Sequence, residues 1–177
     1  ELWEKIFRNG KNLGLIPYGT ETMHLLRAEK GYVVVGQDTD GTVTPIDLNL
    51  NWMIGKNKKD FIGKRSLSRS DTSRKDRKQL VGILPVDKNK NIEEGQHIVE
   101  IKSLPGNIKE PIEYLGHITS SYHSPTLKHC VAMALIKGGN HLMGKKIYVS
   151  KSNSSETVES EIVNPVFLDP DNRRLLS

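Results

Sequence analysis

The sequence predicts an α+β chain, a partial α/β portion followed by a small antiparallel β-barrel. Three observations predict it. Two segments with helical apolar spacing, each punctuated by glycine, lie within the first 31 residues. After residue 78, short β-type runs alternate with turn residues at regular spacing, the signature of a small antiparallel barrel or sandwich. Between these textures Ser70-Asp71-Thr72-Ser73 meets Arg74-Lys75-Asp76-Arg77, a polar junction that divides 1–75 from 76–177.

Residues 2–13 carry Leu2, Ile6 and Leu13 on one helical face, with Trp3 and Phe7 beside it, and Asn9-Gly10 and Gly14 punctuate the end. Thr20 is an N-cap candidate for a second helix through Leu25, Leu26 and Glu29, and Gly31 sits where a C′ glycine ends a helix. Val33-Val34-Val35 reads as a short strand stopped by Gly36. Asp40-Gly41 and Thr44-Pro45 make 37–45 a turn-rich loop. Asp38 and Asp40 invite a calcium reading, but the further oxygen ligands and the closing Glu of a calcium loop are absent. Residues 48–54 read as a strand, and 62–67 as a short basic helix. The later strands are expected at 79–85, 97–102, 113–120, 130–136, 145–151 and 157–167. Hairpin-type loops are expected at 105–110 and 152–155.

Composition bounds the setting. One cysteine, Cys130, excludes an internal disulfide, and its apolar neighbours mark it as a buried hydrophobe rather than a nucleophile. The chain has no secretory leader pattern and no apolar run near 20 residues, so a cytoplasmic protein without a membrane span is expected. The opening Glu1-Leu2-Trp3 enters a helical pattern at once, which reads as a cut inside a longer chain. Net charge is +5. Ten basic residues fall between Lys56 and Lys78, opposed by Asp60, Asp71 and Asp76. A solvated stretch explains them best. No aromatic interleaves the charges after Phe61, so nucleic acid is not the expected partner. Attraction of a multiply anionic small ligand is the other reading.

Chemistry-bearing motifs are few. The six histidines form no i, i+4 pair on an expected helix, and CxxC, HExxH, Walker and GxGxxG patterns are absent. No serine stands in a nucleophile elbow. Two features remain. In Arg27-Ala28-Glu29-Lys30-Gly31, a carboxylate meets the negative end of a helix dipole and needs a compensating partner. Arg27, Lys30 or solvent would serve. A ligand with N–H donors, such as an aminopyrimidine edge, is the alternative. In Gly116 to Leu127, a strand enters a loop of hydroxyls closed by Ser124-Pro125, the pattern of a hydrogen-bonded turn that fixes the barrel.

These features occur in order in one family. Leu26-Arg27-Ala28-Glu29-Lys30-Gly31, Gly36-Gln37-Asp38-Thr39-Asp40, Thr44-Pro45, Trp52, Asp60-Phe61-Ile62-Gly63-Lys64, Gln79-Leu80-Val81-Gly82-Ile83 and the Gly116 to Ala134 block resemble the carboxy-terminal part of the T-protein (aminomethyltransferase) family. Within it, residues 18–31, 35–45 and 76–80 resemble most the branch formed by the alpha subunits of heterotetrameric sarcosine oxidases. The resemblance implies a T-protein-like folate-binding domain ending near residue 75, followed by the family's barrel domain. It implies tetrahydrofolate as ligand, with Glu29 holding the pterin. It implies a full enzyme that oxidises sarcosine to glycine, passes the carbon to tetrahydrofolate and releases hydrogen peroxide. FAD, FMN, NAD and a family aspartate would lie outside this chain, which alone would be inactive, and beta, gamma and delta subunits would be partners. Where transferases often carry arginine, this chain has Lys58, without the guanidinium fork. A fragment of a free-standing aminomethyltransferase and a non-enzymatic folate- or RNA-binding relative are the alternatives.

Overall fold

The structure, a computed structural model, describes residues 1–105, 111–152 and 154–176. It opens with α1 (Leu2–Gly10), a 3-10 turn at Lys11–Leu13 and α2 (Thr20–Glu29). The expected 2–13 helix therefore tightens in its last turn, and Gly14 closes it at φ 73°. The N-cap of α2 is Gly19 rather than Thr20, which is the first helical residue. Gly31 ends α2 as expected. Its φ is 74°, Gly31 N–H donates to the Ala28 carbonyl and Tyr32 N–H to the Arg27 carbonyl, the paired bonds of a Schellman end. A Cβ on Gly31 would also stand 2.7 Å from the Pro165 carbonyl oxygen, because the chain's last segment crosses there.

Two expected strands do not form. Val33–Val35 contributes only a single bridge, Val35 to Thr39. Residues 48–54 instead turn back on themselves: Asn49 has φ 61°, Leu50 N–H donates to the Pro45 carbonyl, and Asn51–Met53 is a 3-10 turn. β-branched or aromatic runs become strands only where they pair along another strand's backbone; 48–54 meets the backbone at Leu80, whose N–H donates to the Asp47 carbonyl and whose carbonyl accepts from Asn49 Nδ2, but Asn49, in the left-handed region, then turns the chain away. The short basic helix is present as α3 (Lys64–Leu67).

The second part is a closed antiparallel barrel, which settles the choice between barrel and sandwich. Its strands are β1 (Lys78–Pro85), β2 (His97–Val99), β3 (Gly116–Ser124), β4 (His129–Lys137), β5 (Lys146–Ser150) and β6 (Thr157–Val163). They pair in the order β1-β4-β3-β2-β5-β6, and β6 closes onto β1. All six expected runs are strands, with ends shifted: 97–102 stops at Val99, 113–120 becomes Gly116–Ser124 and 157–167 stops at Val163. A short helix α4 (Arg173–Leu176) follows. The expected 152–155 loop joins the paired strands β5 and β6, with Asn153 outside the described residues. Most of the other expected hairpin loop, residues 106–110, also lies outside them.

The barrel interior is filled by Val81, Ile83, Ile98, Ile118, Ala132, Ala134, Ile136, Ile147, Val149 and Ile162. A second cluster, built on Ala28, Leu80, Met133 and Leu135 with Leu48, Tyr122 and Phe167 against it, covers the outer face of β1 and β4. Both faces of β4 are therefore buried, which is why His129–Lys137 reads as a continuous apolar run rather than an alternating one. Cys130 is buried within the first cluster, as its neighbours suggested.

Candidate functional site

α2 lies along the outer face of β3, and three side chains of β3 reach it at alternate positions. Successive strand residues face opposite sides, so Ser120, Tyr122 and Ser124 share the outer face. Arg27 Nη2 donates to Ser120 Oγ at 2.8 Å, and its guanidinium stands 5.6 Å from the Tyr122 ring centroid. One turn end later, Ser124 Oγ donates to Glu29 Oε1 at 2.5 Å. The register shift between Ile118 and Ser120 adds a further contact. This irregularity brings two consecutive hydroxyls to one side. Thr119 Oγ1 and Ser120 Oγ both donate to Asp38 Oδ1, at 2.6 and 2.5 Å.

Asp38 is fully buried, and Arg27 Nη1 donates to its Oδ2 at 2.5 Å. Val34 N–H donates to the same oxygen. The Nη atoms of Arg27 are engaged by Asp38, Gln37 and Ser120, and no bond joins Arg27 to Glu29, although its Nε is buried without a partner among the described residues. Lys30 is engaged as well: its Nζ donates to the main-chain oxygen of Asp169 and lies 3.3 Å from the carboxylate. Burial alone would raise the Asp169 pKa. The Lys30 ammonium and the Arg173 and Arg174 N–H groups outweigh it and hold the carboxyl below its ordinary value.

Glu29 is 1% exposed. Neither of its expected protein partners reaches it, and Ser124 does so instead. Its Oε2 is buried with no hydrogen-bond partner among the described residues. Its main-chain oxygen, by contrast, accepts from both Phe167 and Leu168 N–H at 2.9 Å. Glu29 lines a cavity of about 590 Å³ whose apolar walls include Tyr18, Met23, Leu26, Tyr32 and Leu168. Lys30, Asp169 and Arg174 supply its polar rim. Such a cavity suits a flat, largely apolar ligand carrying a hydrogen-bond donor. Lys58 stands apart. It is exposed, its N–H donates to the Gly55 carbonyl, and it is not among the residues lining this cavity.

The site features missed in the sequence are Ser124, Asp38 and the C-terminal segment 167–174. Ser124 and Glu29 are 95 residues apart, so no local pattern joins them. The basic stretch is mostly exposed, as expected, with one exception. Arg77 donates to both carboxylate oxygens of Asp47 and to Asp71, tying the 42–47 loop to the start of β1. Among the described residues no cluster of metal-ligating side chains occurs, and no helix is long and apolar enough to cross a membrane.

The closed barrel and the helix packed against it have the fold of the T-protein class. The chain matches the GCVT N-terminal domain over residues 1–58 and the glycine cleavage T-protein C-terminal barrel domain over 78–169, and it belongs to the T-protein family. It is 42% identical to sarcosine oxidase subunit alpha of Corynebacterium sp. (strain U-96), over 98% of this chain and 18% of that protein. It is 36% identical to the subunit of the same name in Rhizobium meliloti (strain 1021), over 97% of this chain and 17% of that one. It is 33% identical to the aminomethyltransferase of Halothermothrix orenii, over 90% and 41%. The chain thus spans less than a fifth of the sarcosine oxidase subunits it resembles. The crystal structure of glycine cleavage system aminomethyltransferase T from Bartonella henselae shares the fold, with TM-score 0.68 and 22% identity over 83% of this chain and 38% of that one.

Proposed function

We propose that this chain is the folate-binding, carboxy-terminal portion of a sarcosine oxidase alpha subunit, and that Glu29 holds the pterin of a tetrahydrofolate. The observation that carries the reading is the unpartnered Oε2 of Glu29. A buried carboxylate oxygen without a donor is costly, and an N–H edge of a pterin supplies the missing donor. The apolar cavity walls suit the ring system. The identities of 36–43% with sarcosine oxidase alpha subunits, against 30–33% with aminomethyltransferases, favour the oxidase branch.

In the full enzyme as proposed, a flavin held outside this chain would supply the oxidation of sarcosine by oxygen, with hydrogen peroxide, glycine and 5,10-methylenetetrahydrofolate as products. Bound tetrahydrofolate supplies the two nitrogens that accept the methyl carbon. FAD, FMN, NAD, the catalytic aspartate and the beta, gamma and delta subunits belong to the rest of that assembly. The residues of this chain bind and orient. Glu29 accepts from the pterin edge, Ser124 and Lys30 hold the wall, and the barrel backs the site. Lys58, facing solvent, enters the proposal as a cation that attracts the folate's glutamate carboxylates from outside the cavity.

Glu29→Gln in the full-length protein tests this. The substitution keeps size but places an amide where a carboxylate accepted. Tetrahydrofolate affinity is expected to fall at least about ten-fold, the scale of one lost charge-assisted bond. Unchanged affinity in a folded variant would overturn the site. Sarcosine-dependent hydrogen peroxide release by the same protein tests the oxidase assignment, and its absence from the flavin-loaded assembly would overturn that.

A further inference from the structure

We infer that Ser124 is the positioning residue of the Glu29 carboxylate, and that it fixes Glu29 as a hydrogen-bond acceptor toward the ligand. This rests on the reading of Glu29 as the folate-facing group. Ser124 is fully buried at the end of β3. Its hydroxyl has one proton and accepts from the Leu127 N–H at 2.9 Å. That N–H fills a lone-pair direction, so the proton is directed to Glu29 Oε1, 2.5 Å away. The donor is itself immobilised. Lys128, at φ 61°, turns the chain so that its N–H donates to the Ser124 carbonyl at 2.7 Å. The turn after Ser124 thus sets the serine rotamer, and the serine sets the carboxylate.

The consequence is directional. Oε1 accepts a hydrogen bond from Ser124, and Oε2 accepts none from the described residues. Glu29 is also pinned at its backbone by Phe167 and Leu168. With backbone and one oxygen fixed, Oε2 has one orientation to offer, and what meets it must be a donor. A ligand presenting an acceptor there would face an unrelieved carboxylate.

A double-mutant cycle in the full-length protein tests this, read as tetrahydrofolate affinity by titration. Ser124→Ala removes the hydroxyl. Ser124→Cys keeps the volume with only a weak donor, and it decides the matter if the alanine variant does not fold. Each is expected to weaken binding about ten-fold while Glu29→Gln is also weakened. In the Glu29→Gln background the Ser124 substitutions are expected to cost less than about two-fold more, because a residue that acts through Glu29 loses its lever when Glu29 is gone. A merely structural serine would lower affinity equally in both backgrounds. Additive losses, or serine variants binding within about two-fold of the parent while Glu29→Gln is impaired, overturn the inference. Normal binding by Glu29→Gln itself would instead overturn the folate site, so the two failures are distinguishable.

Discussion

At the residue scale, the first few side chains around α2 are governed by the cost of burying charge. Arg27 is 9% exposed and Asp38 not at all, so each depends on the other. Removing one partner of a buried pair leaves an uncompensated charge and typically costs several kcal/mol. Asp38→Asn is therefore expected to destabilise the fold by about 3 kcal/mol in urea unfolding, and a loss below about 1 kcal/mol would show that Gln37 and Ser120 suffice to hold Arg27. Sequence reasoning placed Glu29 correctly as a carboxylate in need of a partner. Arg27, Lys30, solvent or an N–H-bearing ligand were the partners it allowed, and the protein partners among these were neighbours in sequence. The structure gives Arg27 to Asp38 and Lys30 to Asp169. For Asp38 the sequence supports no calcium loop and shows only its place in the family-like stretch 36–40. Its role depends on a strand irregularity 81 residues away.

Asp47 carries a pH prediction at the same scale. Burial opposes its ionisation, but the bonds from Arg77 and from Thr44 outweigh burial and hold the carboxyl below its ordinary value. A carboxyl with a depressed folded-state pKa contributes stability that is fully present above the unfolded value, near 4, and is lost as pH falls through the lower folded value. The Asp47→Asn variant lacks this titration. Its stability is expected to be lower than the parent's at neutral pH and to fall less steeply below about pH 4. Parallel acid limbs for the two proteins would contradict the assignment.

At the element scale, the barrel and the helices were legible and the two strands expected in the front of the chain were not. Strand patterns in 78–163 describe elements whose partners are in the chain, and each run found them. Val33–Val35 and 48–54 were read as strands from their apolar residues, but a strand needs a backbone that runs alongside it, and Asn49, at φ 61°, turns 48–54 away from Leu80. Trp52, within the expected 48–54 strand, is 75% exposed in a 3-10 turn. Glycine spacing spoke less plainly. Gly116 begins β3 opposite Ile136, and a Cβ there would lie 2.0 Å from the Leu135 carbonyl oxygen. That is backbone against backbone, and β3 could accept a side chain only by leaving β4. Gly116→Ala is expected to cost more than about 3 kcal/mol in urea unfolding or to prevent folding, at the upper end for single substitutions. A variant within about 1 kcal/mol of the parent would mean that the β3–β4 pairing can open at its edge.

At the scale of the whole molecule, apolar surface is distributed unevenly. The barrel hides its large side chains, whereas Leu2, Trp3, Leu13, Ile16, Trp52 and Ile62 are all more than 60% exposed. Five of them lie in the first 52 residues, and α1 in particular turns Leu2, Trp3 and Ile6 outward. Scattered exposed apolar residues are ordinary, but a contiguous set on one helix and its following turn is a surface that water disfavours. The 177-residue chain by itself is expected to bury that surface against copies of itself. Sedimentation should show concentration-dependent association at tens of micromolar, roughly the range in which small apolar interfaces act. Charge should disperse it: a Trp3→Glu and Ile6→Lys double substitution removes the apolar face without touching the barrel, and should restore the monomer with the thermal midpoint unchanged. A parent chain that sediments as a clean monomer across that range would show that α1 folds its apolar face away in solution. The cavity beside Glu29, whose wall includes Tyr18 just after this segment, would then be reshaped as well.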